Sequence, residues 1–488
     1  MKTRTVIGIA CLVAAARILT AQAQAQSIPP TVAAAASNGP LTLQEVLQSS
    51  ARSAPDIIAA LARNRQAEAR ALTAQGAFDT VFAVEGRSRV AGYYDGTEIA
   101  AKAEQPLSNN GGYLYGQYRA SRGDFPVYED KSYTNRLGEL KVGALYSLLR
   151  DRLIDARRSE FRLATNNIDI ARFETKAASI GVQARAVEAY QKWVAAGLKL
   201  KAYEALLALA GGRTKGIERQ VQLGAKPDIL LTENDVNLVR RQAYVVEARQ
   251  DFRAAAVKLS LYYRDANGAP VVVDEMRLPA DAAALDGIRT NSAFNLEGRP
   301  DFAIMLQEID KATVKLALAR NDLLPRLEVG GEVAKDVGPT GLGGSSRTPL
   351  EMIVGVTFKI PLQNRKAKGK LAETQAKIDE LTVKQQFLAE KIRAEVTAIS
   401  LEVDAANQLV ATTDKERILA QRLAAAERRR FELGSSDFFL VNQREESATN
   451  AEVKLIEAQA RIAAARAELA AATADEDALG LTPISGPD

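Results

Sequence analysis

The chain has 488 residues, a formal net charge of +4, 25% charged residues and only 6% aromatics. So small a charge for the size gives no basis for a nucleic-acid or acidic-substrate partner, and abundant alanine with few aromatics suits long, closely packed helices better than a broad globular core. Histidine is absent altogether, which excludes serine–histidine triads, cysteine–histidine dyads and histidine-containing zinc sites; no catalytic, metal or cofactor-binding residue is assigned.

The first 25 residues read as a secretory signal peptide. Lys2 and Arg4 provide the basic start, Val6 to Ala16 the apolar stretch, and Ala21-Gln-Ala23 and Ala23-Gln-Ala25 the small-residue cleavage sites, with cleavage expected after Ala25. The single cysteine, Cys11, lies inside this segment with too few apolar residues before it for a lipoprotein signal. The rest of the chain has no apolar run of about 18 residues, so any membrane entry must be made by strands.

The remaining chain is written twice. Ala54-Pro55-Asp56-Ile57 opens a helical stretch ending near Gln75, and Arg299-Pro300-Asp301-Phe302 opens another ending near Asn321. Strand-like segments follow at Thr80–Gly86 and Pro325–Gly331. Further on, Leu223-Gly224 answers to Leu433-Gly434. The offset between halves changes once, between the two strands of each half, so one insertion, roughly Gly92 to Arg136, distinguishes the first half. Residues 26–262 therefore form a first repeat of helix, strand, long loop, strand and helical hairpin. Residues 263–293 form an equatorial connector, 294–474 a second repeat and 475–488 a tail.

Four strands are predicted from alternation. Phe82, Val84 and Val90 oppose Glu85, Arg87 and Arg89; Leu140, Val142, Ala144, Tyr146 and Leu148 oppose Glu139, Lys141 and Ser147. In the second repeat Leu327, Val329 and Val333 oppose Arg326, Glu328 and Glu332, while Met352, Val354, Val356, Phe358 and Ile360 oppose Glu351, Thr357 and Lys359. Ribbons with one apolar and one polar face fit a membrane barrel with a wet lumen; the edge of a soluble sandwich is the competing reading. The Gly92–Arg136 insertion, with Tyr93, Tyr94, Tyr113, Tyr115, Tyr118, Tyr128 and Tyr133 among glycines and charges, is expected to be an external loop with tyrosines at the interface. Gly338–Ser346 lacks the ending of a phosphate-binding loop. Four strands cannot close alone, and open edges are not tolerated in lipid, so the barrel must be shared between copies. Pattern alone permits a dimer or a trimer.

No proline interrupts 150–210 or 364–433, runs long enough for helices of roughly 90–105 Å. Ile170, Phe173, Ala177, Ile180, Ala184, Val187, Val194 and Leu198, and then Leu371, Ile378, Leu381, Leu388, Ile392, Ile399, Val403, Ala406 and Val410, recur at coiled-coil spacing. Their charged neighbours read as solvated face. Each run ends in a glycine, Gly224 or Gly434, followed by an aspartate, Asp228 or Asp437, before an apolar run. That is a helix stop and an N-cap, hence a tight antiparallel hairpin. On residue chemistry alone, these turns either carry function or simply reverse the chain.

The duplicated plan, the stretch Arg430-Phe-Glu-Leu-Gly-Ser-Ser-Asp-Phe-Phe-Leu-Val-Asn-Gln-Arg-Glu445 and the junction Pro361–Leu371 resemble the TolC-type outer-membrane efflux proteins, the outer membrane factors of tripartite export systems. The resemblance implies a mainly α fold with a β-barrel portion. Each protomer would supply four strands to a twelve-stranded barrel shared by a homotrimer in outer-membrane lipid, and long coiled-coil helices would form a tube through the periplasm. It further implies passive conduction from a periplasmic adaptor (membrane fusion protein) and an inner-membrane RND or ABC pump, with no enzymatic activity. Carried over by position, Leu223, Gly224 and Ala225 and then Leu433, Gly434 and Ser435 match the family's tip motif, which forms the gate and docks the adaptor. Asp228 falls near the family's gate aspartate at a shorter spacing, Phe431 stands where a tyrosine often hydrogen-bonds, and Ser436 where some members have arginine; these departures alter the usual polar lock. A periplasmic coiled-coil adaptor or scaffold is the alternative function. It accounts for the helices and the leader but not for strands placed symmetrically between them.

Overall fold

The computed structural model describes residues 39–290, 294–342, 347 and 349–481. The expected leader and the second half of the 475–488 tail lie outside them. After a short helix α1 (Leu43–Ser53), capped by the Thr42 hydroxyl accepting from the Glu45 N–H, the first repeat runs α2 (Pro55–Gln75), β1 (Val81–Ser88), β2 (Thr97–Pro106), β3 (Tyr113–Arg122), β4 (Glu139–Ser147), α3 (Ala156–Gln222) and α4 (Ile229–Leu259). The second runs α5 (Pro300–Asp322), β5 (Arg326–Asp336), β6 (Glu351–Lys359), α6 (Arg365–Glu432) and α7 (Phe438–Thr473). Both repeats open on a proline at the first helical position with an aspartate behind it, where the missing N–H costs no hydrogen bond and the acid faces the positive end of the helix.

The two long helices have 67 and 68 residues, about 100 Å each at 1.5 Å per residue. In the first repeat α2 and α4 pack along α3; in the second α5 and α7 pack along α6. The seam of α6 is legible in Ile392, Ile399, Ala406 and Thr413, buried at seven-residue intervals, each isoleucine contributing about 1.5–3 kcal/mol by leaving water. Leu371, Ile378, Leu388, Val403 and Val410 of the expected stripe are half-buried in the single protomer.

All six strands form one antiparallel sheet in the order β1-β2-β3-β4-β5-β6. The four expected strands are present, and two more lie between them: the Gly92–Arg136 insertion is not an external loop but carries the β2–β3 hairpin. Tyr113, Tyr115 and Tyr118 are therefore strand residues, and Arg89 and Val90 lie beyond the end of β1. The insertion thus sits between the first two matched strands, as its offset implies, but its conformation differs from the one expected. Its strands hide because their apolar positions are largely alanine and glycine (Ala101, Ala103, Gly116, Ala120), which give weak contrast against the polar face.

Midway along the helices lies the densest core. Trp193 and Val194 of α3 are fully buried, Trp193 stacks on Phe252 of α4 at 5.9 Å, and the Tyr190 hydroxyl donates to the Leu41 carbonyl at 2.8 Å. The connector, for which the sequence suggested no role, completes this core with Val273, Leu278, Leu285 and Ile288. Leu278 sits so close to Gly197 that a Cβ there would come within 2.5 Å of it.

Candidate functional site

The expected site residues gather at the two hairpin tips. At the first, Gly224 has φ +71; its N–H donates to the Val221 carbonyl at 2.9 Å, and the Ala225 N–H reaches back to Gln220 at 2.9 Å. At the second, Gly434 has φ +74, its N–H donates to Phe431 at 2.9 Å, and the Ser435 N–H donates to Arg430 at 2.8 Å. The same pair of bonds closes both helices, and glycine is used because the left-handed backbone is strained for any residue with a Cβ. Leu223 is 70% exposed and Leu433 77%, so each tip presents a leucine to solvent.

The restart differs between the hairpins. Asp437 caps α7, its carboxylate accepting from the Leu440 N–H at 2.7 Å. Asp228 does not cap α4: it is itself helical and makes no capping bond. The reason is Pro227, whose carbonyl accepts from the Leu230 N–H at 3.2 Å and whose fixed φ starts the turn one residue early. Ser436 donates to Glu427, and Arg430 meets the same carboxylate at 3.4 Å. Phe431 packs on Phe438 with ring centroids 6.2 Å apart, an apolar contact where a tyrosine would have offered a hydroxyl.

One group of functional interest is not evident from the sequence. Just above the tips the Glu445 carboxylate of α7, 2% exposed, receives Arg213 of α3 at 2.6 Å, Arg428 of α6 at 3.1 Å and Arg241 of α4 at 3.4 Å. Asn442 accepts from Arg213 and Arg241 at 3.0 and 3.2 Å, and Arg241 also donates to the Leu206 carbonyl at 2.9 Å. Burial holds the Arg241 guanidinium below its ordinary pKa, and Glu445 opposes this only in part. Four helices from both hairpins thus meet on one carboxylate. Arg241 and Glu445 lie outside the two long runs whose charges read as solvated face, so no sequence expectation covers them. The missed signal is spacing: Asn234, Arg241 and Ala248 lie seven apart on a buried seam.

Among the described residues no cluster of acidic or thiol side chains could hold a metal ion, and no helix is long and apolar enough to cross a membrane. Residues 295–475 match the family described as "Outer membrane efflux protein", which spans the second repeat. Among solved structures the chain is similar to the CmeC outer membrane channel of Campylobacter jejuni, with 15% identity over 91% of this chain and 87% of that one and a TM-score of 0.59. It is also similar to VceC of Vibrio cholerae, with 15% identity, 88% and 95% coverage and a TM-score of 0.59, and to the open state of the MtrE outer membrane channel of Neisseria gonorrhoeae, with 15% identity, 88% coverage of each chain and a TM-score of 0.63. At that identity the likeness is one of fold. No curated protein sequence matches significantly. The resemblance to outer-membrane efflux proteins and the expected mainly helical fold with an antiparallel sheet are borne out.

Proposed function

From the family match over residues 295–475 and the fold shared along nearly the whole chain, we infer that this protein is one protomer of an outer-membrane efflux channel reaching into the periplasm. The observation that carries this reading is a sheet turned inside out. Phe82, Val84, Val142, Val354, Val356 and Phe358 are 59–74% exposed on one face. On the other face Glu139, Glu328 and Asp336 are under 10% exposed. Water on both sides would favour the reverse arrangement; lipid outside and water inside favour this one.

Both edge strands, β1 and β6, are exposed at every residue and offer unpaired backbone donors and acceptors that lipid cannot satisfy. With an even number of antiparallel strands, β6 of one copy runs antiparallel to β1 of the next, so the alternation continues around a ring. A homotrimer is the closure proposed, by resemblance to the family. The tips at Leu223, Gly224 and Ala225 and at Leu433, Gly434 and Ser435 are proposed as the adaptor-docking end, with an inner-membrane RND or ABC pump supplying the energy. Asp228, Phe431 and Ser436 flank this aperture. Without a tyrosine at 431 or an arginine at 436, we assign its cohesion to the Glu445 hub above it. A soluble scaffold or adaptor has no use for an apolar exposed sheet. The test is direct: protein extracted from membranes runs as a trimer in detergent and conducts ions across a planar bilayer, whereas a monomer that stays dissolved without detergent overturns the reading.

A further inference from the structure

The inserted β2–β3 hairpin is in phase with the whole sheet. Following the pairing across the six strands, one row reads Phe82, Ala103, Gly116, Val142, Val333, Met352, and the adjacent row reads Ala83, Lys102, Gln117, Lys141, Ala334, Glu351. The first row is apolar or glycine throughout and the second carries the charges, so β2 and β3 obey the same inside-out pattern as the strands that flank them. A shift of one residue would put Lys102 and Gln117 on the apolar side. At ten residues each, both strands are long enough to cross the hydrocarbon layer when tilted.

The hairpin is also fastened at the helix end of the sheet, not left free at the far end. Its turn, residues 107–112, buries Asn110 completely. The Asn110 amide donates to the Ser147 carbonyl at 2.9 Å and its oxygen accepts from the Ser147 N–H at 2.8 Å, which locks the turn to the end of β4. Arg158, near the start of α3, donates to the Asn109 carbonyl at 3.0 Å, and the Gly111 N–H donates to the Asp151 carbonyl at 2.8 Å. On the polar face Tyr115 of β3 lies over Gly143 of β4, where a Cβ would run into the ring, and hydrogen-bonds Glu332 of β5 beyond it. A surface appendage would need none of these ties.

We propose that β2 and β3 are membrane-spanning staves, so that each protomer contributes six strands and the trimer closes an eighteen-stranded wall in place of the twelve implied by the resemblance. The inference rests on the channel reading above. Barrel diameter grows roughly linearly with strand number, so the outer-membrane opening is about 1.5 times as wide. The duct then accommodates bulkier solutes at its exit than a twelve-stranded relative, and the tips alone set its narrowest point.

Spin labels on single cysteines test this, since the chain's own sole cysteine is Cys11 and is replaced by serine. In liposome-reconstituted trimer, labels at Ala101, Ala103 and Leu114 are expected to be relaxed more by oxygen, which partitions into lipid, than by a water-soluble nickel chelate. Labels at Lys102 and Gln117 are expected to show the reverse, and Val84 and Val356 serve as reference positions on β1 and β6. If the β2 and β3 sites are all equally open to nickel while Val84 and Val356 keep the lipid signature, the hairpin is extramembranous. The eighteen-stranded wall is then wrong and the channel stands. If Val84 and Val356 also lack that signature, the channel reading falls and this inference with it. An electron cryomicroscopy map of the trimer allows the strands to be counted independently: eighteen support the inference and twelve overturn it.

Discussion

Arg241 of α4 and Glu445 of α7 face each other at 3.4 Å, each side chain only 2% exposed, and they join the two helical hairpins of a protomer. Burying both charges is costly, so the pair contributes chiefly by being complete: removing one partner strands the other in a poorly hydrated seam, at about 3–5 kcal/mol. Glu445→Ala is therefore expected to lower the thermal midpoint sharply and to raise basal conductance by loosening the tips. The double variant Arg241→Met with Glu445→Leu should regain only part of the lost stability, because it removes the most deeply buried charge but leaves Arg213 and Arg428 without their carboxylate. Thermal unfolding in detergent checks both, and a Glu445→Ala protein that melts with the wild type would show the hub to be dispensable.

At the tips, conformation and contact can be separated. Nothing lies within 4 Å of a Cβ built on Gly224 or Gly434, so a substitution there meets strain only from the backbone, about 1–2 kcal/mol for an ordinary residue in the left-handed region. Gly434→Val should reduce both stability and export. Gly434→Asn, which tolerates that backbone, should keep the melting temperature while placing a new side chain at the docking end. Loss of export with normal stability and trimer yield would mark the tip as a contact surface; export at the wild-type rate would leave the glycine as a turn former only.

Much of this architecture is legible in the chain because its periodicities are long. Sixty-odd proline-free residues with heptad spacing admit few alternatives, and paired landmarks such as Pro55 with Pro300 and Leu223 with Leu433 expose the duplication without structure. The β2–β3 hairpin is unreadable for a physical reason. In a lipid-facing strand packing asks only for something apolar, so Ala101, Ala103 and Gly116 suffice, and the seven tyrosines around them resemble an interfacial loop. The Glu445 hub escapes because sequence alone cannot tell a charge on a solvated face from one on a seam where three arginines converge from other helices. Asp228 shows the opposite error: the capping chemistry is available, but Pro227 beside it has already started the helix.

The start of α5 carries a pH dependence. Burial raises the Asp301 carboxyl, but the Arg299 guanidinium, bonded at 2.8 and 3.0 Å, and the Phe302 N–H, bonded at 2.9 Å, more than reverse this and hold its pKa below the ordinary aspartate value. A carboxylate depressed on folding contributes stability that is complete above its unfolded pKa and lost as pH falls through the folded one. Wild type should therefore melt above Asp301→Asn at pH 7, and the gap should narrow to nothing as the buffer is taken down through the depressed folded pKa of Asp301. A gap that persists unchanged into acid would assign the difference to packing instead of ionisation.

The two faces of β6 give the sharpest test of where lipid lies. Val354 and Val356 point outward, 74% and 67% exposed, while Thr357 shares the other face with Glu328 across the β5–β6 pair. An arginine near the bilayer midplane on the lipid face costs about 2–4 kcal/mol, and little on a wet lumen face. Val354→Arg should thus lower trimer yield and the temperature at which the trimer dissociates in detergent, while Thr357→Arg, three residues away on the same strand, should leave both near wild type and change ion selectivity towards anions. The comparison controls for strand propensity, since both changes remove a β-branched residue and add the same side chain. Equal damage from the two, or greater damage from Thr357→Arg, would place water on the face assigned to lipid and reverse the barrel's orientation.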